Sequence, residues 1–214
     1  MSNASDRPIS TAVVTGGHFY EVVGFHRLFR SLDGIDAYIQ HMDDFLLAPR
    51  EERDGYDAVL FFTMLLEGPH GERLQPLHQI AANRQGVVVL HHSILAFPFS
   101  PFWRRWTDLP NLTHSVDPPE PITTEIADPD HPITAGLADW QMNDEIYRMG
   151  GPTADSRILL TTSHPHSMRA LAWTRETGGQ RIVCYQGGHD HQAWTHPAYG
   201  AFLTRALAWC AGRI

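Results

Sequence analysis

The sequence predicts an α/β domain: a mostly parallel β-sheet covered by helices on both faces. Two observations predict it. Short apolar, β-branched runs alternate with longer amphipathic segments, which is the pattern of a buried parallel sheet with helical crossovers. Three of the most apolar runs also end in glycine or histidine. Ala12-Val13-Val14-Thr15 leads into Gly16-Gly17-His18, Val87-Val88-Val89-Leu90 into His91-His92-Ser93, and Ile182-Val183-Cys184-Tyr185 into Gly187-Gly188-His189-Asp190-His191. Ligands of open α/β sheets bind at the carboxyl ends of parallel strands, so imidazoles placed there repeatedly point to one shared site.

The elements follow in order. A strand spans Ser10 to Thr15. Glu21 to Leu32 carries Val22, Val23, Phe25, Leu28, Phe29 and Leu32 at helical spacing, with Gly34 as its stop. Ile35 to Gln40 is a second strand. Tyr56 to Phe62 is a third, reached through the polar stretch Ala48 to Gly55. Glu72 to Arg84 sets Leu74, Leu77, Ile80 and Ala81 on one helix face, and Gly86 separates it from the strand Val87 to Leu90. The rhythm then breaks. Between Phe97 and Pro121, Pro98, Pro101, Pro110, Pro118, Pro119 and Pro121 alternate with Phe97, Phe99, Phe102, Trp103 and Trp106, which excludes a long helix or a central strand. Two readings of residues 97–121 stay open, an insertion or lid over the strand ends and a packed loop. Strands resume at Ile122 to Ile126, Arg157 to Thr162, Ala170 to Arg175 and Arg181 to Gln186. Gly178-Gly179 marks a hairpin between the last two, and a final helix covers Tyr199 to Ala211. Residues 1–9 read as a flexible tail and 10–214 as one domain.

With 214 residues and 24.1 kDa the chain suits a single α/β domain with a proper core. A hydrophobic fraction of 43% with 19% charged residues is that of a soluble globular protein, and no apolar run approaches the ~20 residues of a membrane span. The start lacks a basic segment followed by an apolar one, so a cytoplasmic location is expected. A formal charge of -8, with no basic stripe, argues against nucleic acid as a partner, and Arg104-Arg105 reads as a packing corner between tryptophans. Cys184 and Cys210 form neither a disulfide framework nor a Cys-x-x-Cys motif and are read as core residues. Aromatics exposed around Phe97 to Trp106 would suit a homodimer contact as well as a lid.

Six motifs in order carry a resemblance: Val13-Val14-Thr15-Gly16-Gly17-His18, Tyr56-Asp57-Ala58-Val59, Gly86 to His92, Asp130-His131-Pro132-Ile133-Thr134-Ala135-Gly136-Leu137, Asn143-Asp144-Glu145-Ile146-Tyr147 and Gly187-Gly188-His189-Asp190. Over nearly the whole chain they resemble the ThuA-like (trehalose-utilisation) family. The resemblance implies a fold similar to class I glutamine amidotransferases, a flavodoxin-like, mostly parallel sheet between helices, and a link to sugar metabolism. Those amidotransferases carry a cysteine nucleophile on a tight strand-to-helix turn. Here the corresponding place reads Leu90-His91-His92-Ser93, so thiol-based glutamine hydrolysis is not expected, and no Gly-x-Ser-x-Gly elbow supports Ser93 as a replacement.

The histidines carry the remaining chemistry. Neutral imidazole is the commonest ligand for zinc and similar divalent ions, and a carboxylate from Asp144 or Glu145 would complete a set that leaves one position open. Neighbours in an extended segment point to opposite sides, so one residue of each pair, His91 or His92 and Asp144 or Glu145, faces the site. The expected catalytic residues are His91, His92, Glu145 and His189, and the expected substrate-binding residues Gly17, His18, Asp144 and Trp194, the last by stacking on a sugar ring. A divalent metal would sit on His18, His91 and His189, with Asp190 and His191 orienting the ligands. Against this, strand-end histidines often only cap loops, and no strict ligand-spacing motif occurs. His131 fits a turn. Two function classes follow. One is a hydrolase, lyase or isomerase acting on a small sugar or oxidised sugar; the other is a non-catalytic sugar-binding or assembly module on the same scaffold.

Overall fold

The computed structural model describes residues 7–214. Its elements run β1 (Ile9–Gly16), α1 (Val22–Ser31), β2 (Ile35–His41), α2 (Met42–Leu47), α3 (Arg50–Asp54), β3 (Ala58–Thr63), α4 (Gln75–Ala82), β4 (Gly86–Leu90), α5 (Pro101–Thr107), β5 (Ser115–Ile126), β6 (Trp140–Arg148), β7 (Arg157–Thr161), β8 (Ala170–Thr177), β9 (Gln180–Tyr185), α6 (His191–Trp194) and α7 (Pro197–Cys210). A 3-10 turn over His91–Leu95 follows β4 directly.

The strands form one sheet in the order β2-β1-β3-β4-β9-β8-β7-β5-β6. The first five are parallel, and β8, β7, β5 and β6 are added antiparallel, so the parallel half is extended by a meander. Strand alternation divides the core. Val13, Leu60, Phe62, Val88, Leu90 and Val183 face α1, α6 and α7 on one side. Val14, Val59, Phe61, Val87, Val89 and Cys184 face α2, α4 and α5 on the other. Both cysteines are buried and free.

Residues 1–6 of the expected tail lie outside the described residues. The rest is anchored: Arg7 donates to both carboxylate oxygens of Asp57 at 2.7 and 2.6 Å, and Ile9 already belongs to β1. The proline-rich segment is not a lid. Phe97, Phe102, Trp103 and Trp106 are buried on the second face, with the Trp103 and Trp106 indoles donating to the Ser93 carbonyl and Gln180 Oε1. Only Phe99 of these aromatics is exposed, at 91%, so the apolar surface expected to suit a homodimer is interior. Pro118 and Pro119 fall inside β5, at a break in register between Asp117 and Glu120, where the strand pairs only with β6 and no donor is required of them. Among the described residues, no helix is long and apolar enough to cross a membrane.

Candidate active site

The site is built where β4 and β9 end and β6 passes over them. At the end of β4 the chain turns so sharply that His91 takes the left-handed conformation, φ 53°, a costly choice for a side-chain-bearing residue. Its ring is buried, and Nδ1 lies 2.8 Å from the Gln186 carbonyl oxygen. A carbonyl only accepts, so Nδ1 carries a proton there and Nε2 is turned inward.

Three further groups meet that nitrogen. Glu145 Oε2 lies 3.3 Å from His91 Nε2, the Tyr147 hydroxyl 3.3 Å and His189 Nδ1 3.4 Å. His189 Nδ1 in turn lies 3.2 Å from Glu145 Oε1. Glu145 and Tyr147 are two apart on β6 and so share a face; Asp144, between Asn143 and Glu145, turns the other way. Fully buried, Asp144 receives the backbone N–H of Gly188 at 2.6 Å and those of His189 and Glu145 at 3.0 Å each. It thereby fixes the loop that carries His189. The two glycines of that loop are steric necessities: a Cβ on Gly187 would meet Asp144 Oδ2 at 2.9 Å, and one on Gly188, at φ 114°, would collide with the Tyr199 hydroxyl.

The electrostatics follow from this packing. Burial works against the Glu145 carboxylate, but hydrogen bonds and charge from His189 and His91 prevail and hold it at about 2. The Glu145 hydrogen bond raises His189, against its partial burial. Burial, reinforced by Glu145 and Asp144, lifts the Tyr147 phenol well above its ordinary value. Burial also pushes Asp144 up, opposed by His91 and the three N–H groups.

His91, Glu145 and His189 are therefore brought together, whereas the other expected site residues stand elsewhere. His92 is buried with neither ring nitrogen hydrogen-bonded, and burial lowers it to about 2. It packs as a ring 4.4 Å from Phe62 and 4.4 Å from His18, and burial disfavours its charged form. His18 is stacked on His92 and 6.2 Å edge-on from His189, so its nitrogens do not join the ligand atoms of His91, Glu145 and His189, which lie within 4.8 Å of one another. Glu145 takes the place expected of it. Asp144 is turned into the Gly188–His189 backbone rather than toward a substrate. Trp194 is interior, packed on Phe25 and donating its indole N–H to the Gly188 carbonyl at 2.9 Å, so no sugar can stack on it. Asp190 caps α6 through the Gln192 N–H, and His191 pairs with Glu21 at 2.9 Å on the outer surface; neither orients a site histidine. Gly17 is needed for its φ of 74° and because a Cβ would strike the Met64–Leu65 backbone at 2.7 Å. With Thr15, His18, Tyr20, His26 and His41 it lines an open cavity of about 650 Å³ beyond β1 and β2. Ser93 is no nucleophile: its Oγ accepts the Thr63 N–H at 2.5 Å in the interior.

Two participants, Tyr147 and the Gln186 carbonyl, escape sequence reasoning. Tyr147 has a signal, as the residue two along from Glu145 on an extended segment; a backbone carbonyl leaves no trace in composition.

The comparisons with known proteins agree with this architecture. A family model described as ThuA, trehalose utilisation, matches residues 23–210. No curated protein matches the chain. Among solved structures, a thua-like protein from Parabacteroides merdae superposes with a TM-score of 0.78 at 21% identity, covering 96% of this chain and 90% of that one. A thua-like protein from Bacteroides uniformis gives 0.74 at 19% identity, covering 98% and 94%. A glutamine amidotransferase from Thermotoga maritima gives 0.52 at 10% identity, covering 94% and 98%. The scaffold is thus shared with amidotransferase-like proteins, and the turn after β4 carries an imidazole.

Proposed function

The chain belongs to the ThuA (trehalose utilisation) family, and from that premise we propose that it is an enzyme of carbohydrate turnover that moves a proton at a hydroxyl or carbonyl oxygen of a small sugar. One observation carries the reading: two imidazole nitrogens and a carboxylate from the turn after β4, the loop after β9 and β6 meet in contacts of 3.2–3.4 Å at the strand ends, with a phenol 3.3 Å from one of the imidazoles. Such groups hold, orient and exchange protons with a bound oxygen. A buried histidine held in a left-handed conformation against a carboxylate supports an enzyme over a scaffold that only binds sugar. His189, a quarter exposed, marks the side from which substrate enters. The adjoining cavity beyond β1 and β2 offers room for the remainder of the sugar. The turn after β4 carries no thiol, and its Ser93 hydroxyl is committed to the Thr63 N–H, which favours proton transfer over covalent acyl chemistry.

The test is turnover of a panel of disaccharides, their keto derivatives and free sugars by the wild type, Glu145→Gln and His189→Ala. Consumption of at least one member, reduced about 100-fold or more in both variants, is expected. Sugars that raise the melting temperature with no product formed would instead establish a binding module.

A further inference from the structure

We propose that His91 Nε2, His189 Nδ1 and the Glu145 carboxylate together bind one divalent transition-metal ion and leave a coordination position open. The inference deepens the reading above, since it concerns the same groups.

The first argument is metric. Zinc-type ions hold nitrogen and oxygen ligands at about 2.0–2.1 Å in a tetrahedron, whose corners are then about 3.3 Å apart. The three separations in the site are 3.4 Å between His91 Nε2 and His189 Nδ1, 3.3 Å between His91 Nε2 and Glu145 Oε2, and 3.2 Å between His189 Nδ1 and Glu145 Oε1. The two carboxylate contacts go to different oxygens of Glu145, and one ligand atom from each of the three residues lies within 4.8 Å of the other two, a spacing that a single small ion can bridge.

The second argument is chemical. With Nδ1 of His91 committed to the Gln186 carbonyl, its Nε2 points at a carboxylate oxygen and at another imidazole nitrogen. Shared protons or a cation can hold these three groups together, and an ion that binds them displaces the protons. A backbone carbonyl on the far nitrogen is also how metal-bound histidines are commonly oriented. Asp144 fixes the backbone of the other two ligands, through the His189 and Glu145 main-chain N–H groups.

The third argument is the donor set. Two imidazoles and one carboxylate suit zinc, cobalt, nickel, iron or manganese better than calcium or magnesium, which prefer oxygen alone. The outer group Asp117, Glu120 and His166 gives a contrast, because Arg148 Nε already occupies Asp117 Oδ2 at 2.5 Å, and we assign no ion to it. When bound, the ion would supply a Lewis acid for a sugar oxygen or water at the open position.

The test is titration of the chelator-stripped full chain with Co²⁺ and Zn²⁺. Saturation at one equivalent is expected, with visible absorption of four- or five-coordinate Co²⁺ that Zn²⁺ abolishes. Glu145→Gln and His189→Ala should each weaken binding about 100-fold or more. Circular dichroism of both variants guards against misfolding, and the near-isosteric Glu145→Gln decides the matter if His189→Ala does not fold. Absence of saturable binding by the wild type, or equal binding by the folded variants, would overturn the proposal. Loss of turnover in Glu145→Gln without any metal binding would remove the ion and leave the enzyme reading standing. Metal binding without turnover of any sugar would do the reverse.

Discussion

Replacing Asp144 with asparagine changes almost no volume, yet it is the most telling perturbation of the site. The two carboxylate oxygens of Asp144 accept three backbone N–H groups, from Gly188, His189 and Glu145, in full burial. Asparagine keeps one acceptor oxygen, enough for two of them. Its amide N–H₂ then confronts the third donor. One N–H is left unsatisfied at a cost of about 1–3 kcal/mol, and the two surviving bonds fall from charge-assisted to neutral strength, about 1 kcal/mol less each. Relief of the burial that pushes the Asp144 pKa up returns part of this. The net loss is about 3 kcal/mol, and a domain of this size shifts by about 2–4 °C per kcal/mol, so the melting temperature should drop by about 6–12 °C. Because the two weakened bonds hold the backbone of the site residues His189 and Glu145, the affinity for Co²⁺ or substrate should weaken about tenfold even below the melting transition. Differential scanning calorimetry with a binding titration measures both. A variant melting within about 2 °C of wild type and binding equally well would refute the assignment of Asp144 as the positioning residue of the His189 loop.

Three further outcomes are expected. Ser93→Ala strands the buried Thr63 N–H and should cost about 1–3 kcal/mol in urea unfolding while turnover stays at the wild-type rate; a large fall in turnover would restore Ser93 as a participant. Gly86→Ala would drive a Cβ into the Cys210 carbonyl, where β4 passes under the end of α7, and should destabilise by about 3 kcal/mol or more; a neutral variant would show that α7 is not held so close. His131 is depressed chiefly by burial, so the native state favours its neutral form. Its contribution is complete above the unfolded value of about 6.5 and is lost as pH falls below it. Urea midpoints should therefore decline between pH 7.5 and 5.5, less steeply in His131→Asn, whose side-chain oxygen can still accept the Ile133 N–H; parallel declines would discount His131.

How much of this is legible in the sequence depends on burial. Strands β1, β3, β4 and β9 announce themselves because both of their faces are covered, which demands uninterrupted apolar runs such as Val87-Val88-Val89-Leu90. Strand β6 does not. Its inward positions are Trp140, Met142, Asp144 and Ile146, and the buried carboxylate that makes it useful is what breaks its hydrophobic alternation. Helices α2 and α3 are too short, and α3 too polar, to give a periodic signal. The expectation that one of Asp144 and Glu145 turns to the histidines follows from strand parity alone, but which one depends on where β6 lies against β9, a tertiary fact. Parity misplaces Asp190 and His191 because the chain does not stay extended after His189. Asp190 caps a helix instead, and a helical turn carries His191 away from His189. Trp194 departs from expectation for the same reason, since helical geometry points it into the core.

The joint between the two halves of the sheet has a consequence for how the molecule fails. Among the described residues, the β5–β6 ribbon joins the remaining strands through a short ladder, Glu125 with Thr161 and Ile126 with Leu160, extended by the Ala127 N–H to the Leu159 carbonyl. His91 and His189 ride on the well-knit parallel part, while Glu145 and Tyr147 ride on the ribbon. Gentle denaturation should therefore peel the ribbon first and silence the protein while most of its protected amides are still intact. Residues nearly a hundred positions apart, such as His91 and His189, must also find each other before anything works, so activity reports the last event of assembly rather than the first.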